Sequence, residues 1–152
     1  MRTAMKSCVI DMIRNHSNTM CILIDIGAFG FKDLMKSYPE RVKNIGIFED
    51  GLDYIYQNVG GNFITTGAAY DFSKLGYSHY CPEDVETLKT LPGIEILTPG
   101  TPKQFETLFK QCYMNGKLSY FRMIDHCNKT QVDIEFGKAK VLKKGTRGTV
   151  IA

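Results

Sequence analysis

Residues 67–123 read GAAYDFSKLGYSHYCPEDVETLKTLPGIEILTPGTPKQFETLFKQCYMNGKLSYFRM, and the element types that alternate inside this stretch decide the fold class. Pro82-Glu83-Asp84 suits the first turn of a helix, with proline near N1 and two acids at the positive end of the dipole. Val85, Leu88 and Leu91 give that short helix an apolar stripe, and Pro92-Gly93 stops it. Ile94, Ile96 and Leu97 then read as a buried strand closed by Pro99-Gly100. Thr101-Pro102-Lys103-Gln104 has the form of a capping box with proline at N1. Phe105, Leu108, Phe109 and Cys112 follow at helical spacing, and Gly116 supplies the C-terminal stop. The spacing predicts a strand over 118–123, with Arg122 near its C-terminal end. Ahead of all this lies a glycine turn that carries a histidine, Gly76-Tyr77-Ser78-His79.

Outward from this stretch the same alternation continues. Met5, Cys8, Val9, Met12 and Ile13 form a helical stripe, and 15–18 reads as a turn. The apolar run 20–26 suits a parallel strand covered on both faces. A short helix is expected over 31–37, stopped before Pro39. Residues 43–48 read as a second strand with Glu49 at its end, 51–59 as a short helix, and 62–66 as a third strand after the Gly60-Gly61 break. Short extended pieces are expected at 133–136, 140–142 and 149–152. Strands that alternate with helical segments imply an α/β fold: an open, mostly parallel sheet flanked by helices. The expected division is a domain over 1–136, followed by a linker and the start of a further domain over 137–152.

Composition narrows the classes of function. The chain has 152 residues, 43% hydrophobic and 23% charged, with a formal net charge of +3. That is one domain's worth, with enough apolar material for a core. The charge is too small and scattered to argue for nucleic acid. The cluster Lys138, Lys140, Lys143, Lys144 and Arg147 reads as a solvated edge. No apolar run is long enough for a membrane span, and the first residues do not read as a signal peptide. Neither nucleic acid nor a membrane is therefore expected as a partner. Five cysteines without a CxxC pair suggest reduced thiols and a cytoplasmic location.

Three residues and one short run are candidates for chemistry on residue type and position. Glu49 follows the apolar run Ile45-Gly46-Ile47-Phe48. Poor solvation there would favour its neutral form and let it donate a proton, whereas the plainer reading is a solvated Glu49-Asp50 pair. His79 is suited to bonding a substrate oxygen or moving a proton, or is a loop histidine bonded to backbone. Arg122 is suited to gripping a phosphate or carboxylate with its fork of donors, or forms an ion pair with Glu83 or Asp125. Asp125-His126-Cys127 has ligand-type residues, but adjacent residues rarely face one metal ion. GxxxxGK[ST], GxGxxG and GxSxG motifs are all absent.

At these residues the chain resembles the pyrimidine-binding domain of transketolase-like enzymes that depend on thiamine diphosphate. Pro39-Glu40-Arg41, Asn44-Ile45-Gly46-Ile47 and Glu49 resemble that family's P-x-R and N-x-G-I-x-E segment. Gly76-Tyr77-Ser78-His79 with Glu83-Asp84 resembles its G-x-[ST]-H and E-D pair. Leu91-Pro92-Gly93-Ile94 with Pro99, and Tyr120-Phe121-Arg122, resemble two further blocks. The likeness implies that Glu49 bonds the pyrimidine nitrogen of the cofactor. It implies that His79, with Ser78 beside it, contacts substrate oxygens, and that Arg122 takes the phosphate of a sugar phosphate. The implied reaction moves a two-carbon ketol unit between sugar phosphates.

The departures from the family pattern are as specific. Glu49-Asp50 runs almost directly into Gly51-Leu52-Asp53-Tyr54, so a block that includes the ring stacked on the pyrimidine is missing. Phe48 or Tyr54 is what the sequence offers instead. None of the 14 glycines is followed by aspartate, so the Gly-Asp-Gly motif that holds Mg²⁺ and diphosphate in the family is absent. The resemblance thus implies a shortened domain that works with a partner subunit carrying the diphosphate-binding domain, or as a homo-oligomer. The competing expectations are a non-catalytic fragment that binds such a subunit, and a phosphate-ligand or sugar-binding module using Arg122 and His79.

Overall fold

The computed structural model describes residues 1–23, 28, 30–44, 60–68, 70–76 and 82–151. The amino-terminal stripe forms helix α1, Arg2–Asn15, which buries Ala4, Val9 and Ile13. Strand β1 is Cys21–Leu23, helix α2 is Lys32–Ser37, and β2 is Val42–Asn44. β1 and β2 pair in parallel, Cys21 opposite Val42 and Leu23 opposite Asn44. The expected strands over 20–26 and 43–48 are present in their described parts. The helix expected over 51–59 lies outside the described residues.

Strand β3, Gly61–Thr66, leads through a 3₁₀ turn, Ser73–Leu75, to helix α3, Asp84–Leu88. Strand β4 is Glu95–Leu97, helix α4 is Pro102–Cys112, and β5 is Leu118–Met123. The last three strands form a parallel sheet in the order β3-β5-β4. β5 is central, with Gly61 opposite Leu118 and Thr66 opposite Met123 on one side, and Leu97 opposite Phe121 on the other. Strands joined by helical connections and paired in parallel make the expected open α/β architecture.

Local chemistry accounts for the element ends. The Thr101 hydroxyl caps α4 by accepting from the Gln104 N–H at 3.3 Å. Gln104 departs from the reciprocal box, because its Oε1 accepts from the Gly100 N–H at 2.9 Å, one residue further back. Gly116 takes φ +76° in the turn into β5, a backbone region that favours glycine. The pieces at 133–136 and 140–142 join no sheet: no strand occurs among described residues 124–151. Val141 and Leu142 stand exposed there, without a neighbouring strand to pair with.

Two apolar clusters share α1. One gathers Phe105, Leu108, Phe109 and Cys112 of α4 with Leu97, Phe121, Met123 and Ala4. The other gathers Val9 and Ile13 with Leu23, Phe31, Leu34 and Val42. Met5, Met12 and Ile64 touch both, so the helix bridges the two sheets. Arg41 fastens the second cluster. Its guanidinium donates to the carbonyls of Ile13 (2.7 Å) and His16 at the end of α1, and Nε donates to the Thr19 carbonyl at 2.9 Å. A cation at the negative end of a helix satisfies carbonyls that the helix leaves open.

Candidate functional site

Alternation along β5 separates core from site. Phe121 and Met123 point into the core and are essentially fully buried, whereas Tyr120 and Arg122 share the other face. Asp84, the first residue of α3, meets that second face. Its Oδ2 accepts from Arg122 Nε at 2.7 Å and from the Tyr120 hydroxyl at 2.9 Å. On β3, the Thr65 hydroxyl lies opposite Arg122 in register and donates to the Tyr120 oxygen at 3.1 Å. Three elements thus deliver one chain of polar groups, Thr65–Tyr120–Asp84–Arg122, at the C-terminal edge of a parallel sheet. That edge is where open α/β folds usually bind ligands.

The ion pair is largely withdrawn from water, with side-chain exposures of 15% for Arg122 and 11% for Asp84. Burial pushes the Asp84 carboxyl up, but the hydrogen bonds from Arg122 and Tyr120 and the guanidinium charge outweigh it. Its pKa therefore falls below the ordinary value. Tyr120 is pushed up to about 12, first by burial and then by the adjacent carboxylate, against the hydrogen bond from Thr65. Arg122 is held even more firmly protonated by its bond to Asp84. At neutral pH the site is an aspartate, an argininium and a neutral phenol.

The loops after the three strands are tied to one another. Gly67 and Ala68, just after β3, both donate to the Met123 carbonyl at the end of β5, at 3.2 Å each. Gly67 has φ +86°, and a Cβ there would lie 2.0 Å from the Phe72 ring, so the turn needs glycine. Asp71 accepts from the Asp125 N–H at 2.8 Å. The Asn128 N–H donates to the Gly100 carbonyl at 2.8 Å, which joins the loops after β5 and β4. The residues of Asp125-His126-Cys127 face different partners: Asp125 pairs with Arg2 at 2.8 Å, and His126 is 3.8 Å from Asp71. Cys127 Sγ accepts from the amino terminus at 3.8 Å.

Of the residues singled out in the sequence, Arg122 sits where expected, at the end of the central strand. The carboxylate it meets is Asp84; Asp125, one of the two expected partners, is taken by Arg2. Phe48, Glu49, Ser78 and His79 lie outside the described residues. Sequence reasoning missed the parts played by Thr65, Tyr120 and Asp84. The two-residue spacing of Tyr120 and Arg122 was the available sign that they share a face. Among the described residues no helix is long and apolar enough to cross a membrane.

No known family model matches the chain. An uncharacterized 33.6 kDa protein in the fasciation locus of Rhodococcoides fascians is 24% identical to it over 185 aligned positions, covering all of this chain and 59% of the relative. That alignment is longer than the chain's 152 residues, so the relative carries positions inside the match that this chain lacks. Among solved structures, a split-gene transketolase described as an inactive β4 tetramer superposes with a TM-score of 0.72 at 18% identity. The superposition covers 95% of this chain and 59% of the other. The chain therefore has a transketolase-like α/β fold and spans about 59% of the length of each of these relatives.

Proposed function

We propose that this chain is the pyrimidine-binding half of a split transketolase, completed by a partner subunit that carries the diphosphate-binding domain. The observation that carries this reading is the superposition of 95% of the chain on a split-gene transketolase. The placement of Arg122 at the C-terminal edge of the sheet adds to it. In this reading Glu49 bonds the pyrimidine of thiamine diphosphate, Phe48 packs beside it, and the partner holds Mg²⁺ and the diphosphate. The assignments of Glu49 and Phe48 rest on the sequence. The cofactor, when bound, supplies the carbanion sink that ketol transfer needs. His79 and Ser78 bond substrate oxygens, and Arg122 holds the phosphate of the sugar phosphate in a cytoplasmic reaction.

The test is reconstitution. The chain is mixed with a subunit bearing a diphosphate-binding domain, thiamine diphosphate and Mg²⁺, and two-carbon transfer from a ketose phosphate to an aldose phosphate is measured. Turnover that is lost in Glu49→Gln and His79→Ala supports the reading. No turnover in the complete mixture, with the two subunits shown to associate, counts against it.

A second reading makes the chain a subunit-interaction piece without catalysis. The extra positions in the R. fascians relative favour it, and so does the inactive β4 assembly of the structural neighbour. In that case sedimentation shows self-association or stable binding to a transketolase-like subunit, while His79→Ala alters no activity.

A further inference from the structure

The contact between Asp84 and Arg122 presents an electrostatic puzzle. A carboxylate bonded to the one cation on this face of β5 cancels much of the charge that would attract an anionic substrate. Simple attraction would be served better by an asparagine at position 84. The geometry shows what the carboxylate does instead. Asp84 takes the guanidinium by Nε at 2.7 Å and is itself held on the same oxygen by the Tyr120 hydroxyl at 2.9 Å. Thr65 in turn holds Tyr120 from the neighbouring strand at 3.1 Å. A long, rotamer-rich side chain is thereby fixed before any ligand arrives, so little ordering entropy remains to be lost on binding. A contact through Nε also directs the planar fork of terminal nitrogens away from the carboxylate, the arrangement that a phosphate can bridge.

We propose that Asp84 is a positioning residue for Arg122, and that with Tyr120 and Thr65 it presets the guanidinium to receive a phosphate group at the C-terminal edge of the sheet. This rests on the proposed function for the choice of phosphate as the anion and for the identity of its bearer. The cost in charge and the gain in order have opposite signs, so replacing Asp84 distinguishes them. If the carboxylate positions Arg122, its loss weakens phosphate binding although a like charge has been removed. If it is an electrostatic bystander, its loss strengthens binding.

The experiment titrates inorganic phosphate into the full chain against sodium chloride of equal ionic strength. The readout is the arginine Nε–Hε resonances, with the Arg122 signal assigned by its disappearance in Arg122→Lys. Phosphate is expected to shift that resonance. Asp84→Asn is expected to weaken the interaction by about fivefold or more, the scale of one well-placed contact, and to broaden the Nε–Hε signal. Tyr120→Phe keeps the ion pair and is expected to stay within about threefold. Because Asp84→Asn could lower the yield of folded protein, Asp84→Glu is measured beside it. That variant keeps the charge, moves the guanidinium by one methylene, and is expected to weaken binding too. Unchanged or tighter binding in either variant, with cooperative unfolding retained, overturns the proposal, as does a native Arg122 signal that phosphate leaves unmoved. Ketol transfer undiminished in Asp84→Asn would remove the positioning role and leave the proposed function intact. Phosphate binding that depends on Asp84, in a chain that never supports ketol transfer, would do the reverse.

Discussion

The two ends of the β3-β5-β4 sheet each carry a carboxylate paired with a cation, and the pairs are built differently. At the N-terminal edge, Glu95 accepts from Asn115 at 2.8 Å and Ser119 at 3.1 Å, and lies 3.0 Å from Lys117. All three partners come from one short run, 115–119, that leads from the turn after α4 into β5. The Lys117 side chain is 62% exposed, so the cation keeps most of its water. At the C-terminal edge, Asp84 and Arg122 are both largely buried and come from elements 38 residues apart in the chain. Glu95, whose side chain is 8% exposed, fastens β4 to the turn that leads into β5, and the cation it meets stays in solvent. Asp84 holds a guanidinium in a fixed attitude on the edge where parallel sheets bind ligands. Both carboxylates are buried, and the difference lies in the cation: a paired carboxylate is informative when its cation is dry as well, and much less so when the cation stays in water.

The heaviest blow to both ends at once is Phe121→Ala, since Phe121 is fully buried on the core face of the strand that carries Ser119 and Arg122. It is expected to cost about 3–5 kcal/mol in denaturant unfolding, and both networks should be lost in a single transition. Separate transitions would mean the ends are independent. Next comes Asp84→Ala, which strips the partner from a mostly buried guanidinium and is expected to cost about 3 kcal/mol. A cost below that of Glu95→Gln would invert the comparison.

The pH dependence divides the ends further. Asp84 and Glu95 both sit below their ordinary values of 3.8 and 4.5. For Glu95, as for Asp84, burial raises the pKa but hydrogen bonds and the neighbouring cation outweigh it. Each carboxylate therefore contributes stability that is present above its unfolded pKa and lost as pH falls through the lower folded pKa. Both variants should flatten the acid limb below about pH 4. The alkaline limb belongs to one end alone. Tyr120 is raised from 10.0 to about 12, so its contribution is full below pH 10 and is lost as pH rises through that interval. Tyr120→Phe should remove about 1–2 kcal/mol of the loss between those values, measured by unfolding along a pH series. An unchanged alkaline limb would place the Tyr120 hydroxyl in water. The smallest effect is Glu95→Gln, at about 1 kcal/mol near neutrality, because Asn115 and Ser119 can still donate to the amide oxygen.

Local signals revealed most of the architecture. The cap at Thr101, the stops at Pro92-Gly93 and Gly116, and the apolar spacing in between are all short-range, so α3, β4, α4 and β5 emerged from the chain itself. Arg122 at the end of β5 was visible for the same reason. Arg41 stands out in the sequence only as part of Pro39-Glu40-Arg41. Its bond to the Ile13 carbonyl spans 28 residues, and no local pattern marks a guanidinium that closes another segment's helix. Asp84 reads as a helix-start acid, which it is, but its hold on Arg122 depends on how α3 lies over the sheet. The stretches 133–136 and 140–142 read as short extended pieces, but a strand requires a neighbouring strand, and the sequence does not show whether one is present.

In the proposed function this chain supplies one half of a thiamine-diphosphate site. Calorimetric titration of thiamine diphosphate with Mg²⁺ into the purified chain, alone and together with a diphosphate-domain subunit, tests it most directly. The account predicts binding only in the presence of the partner, abolished by Glu49→Gln. No binding in either mixture, or binding indifferent to Glu49→Gln, would contradict it.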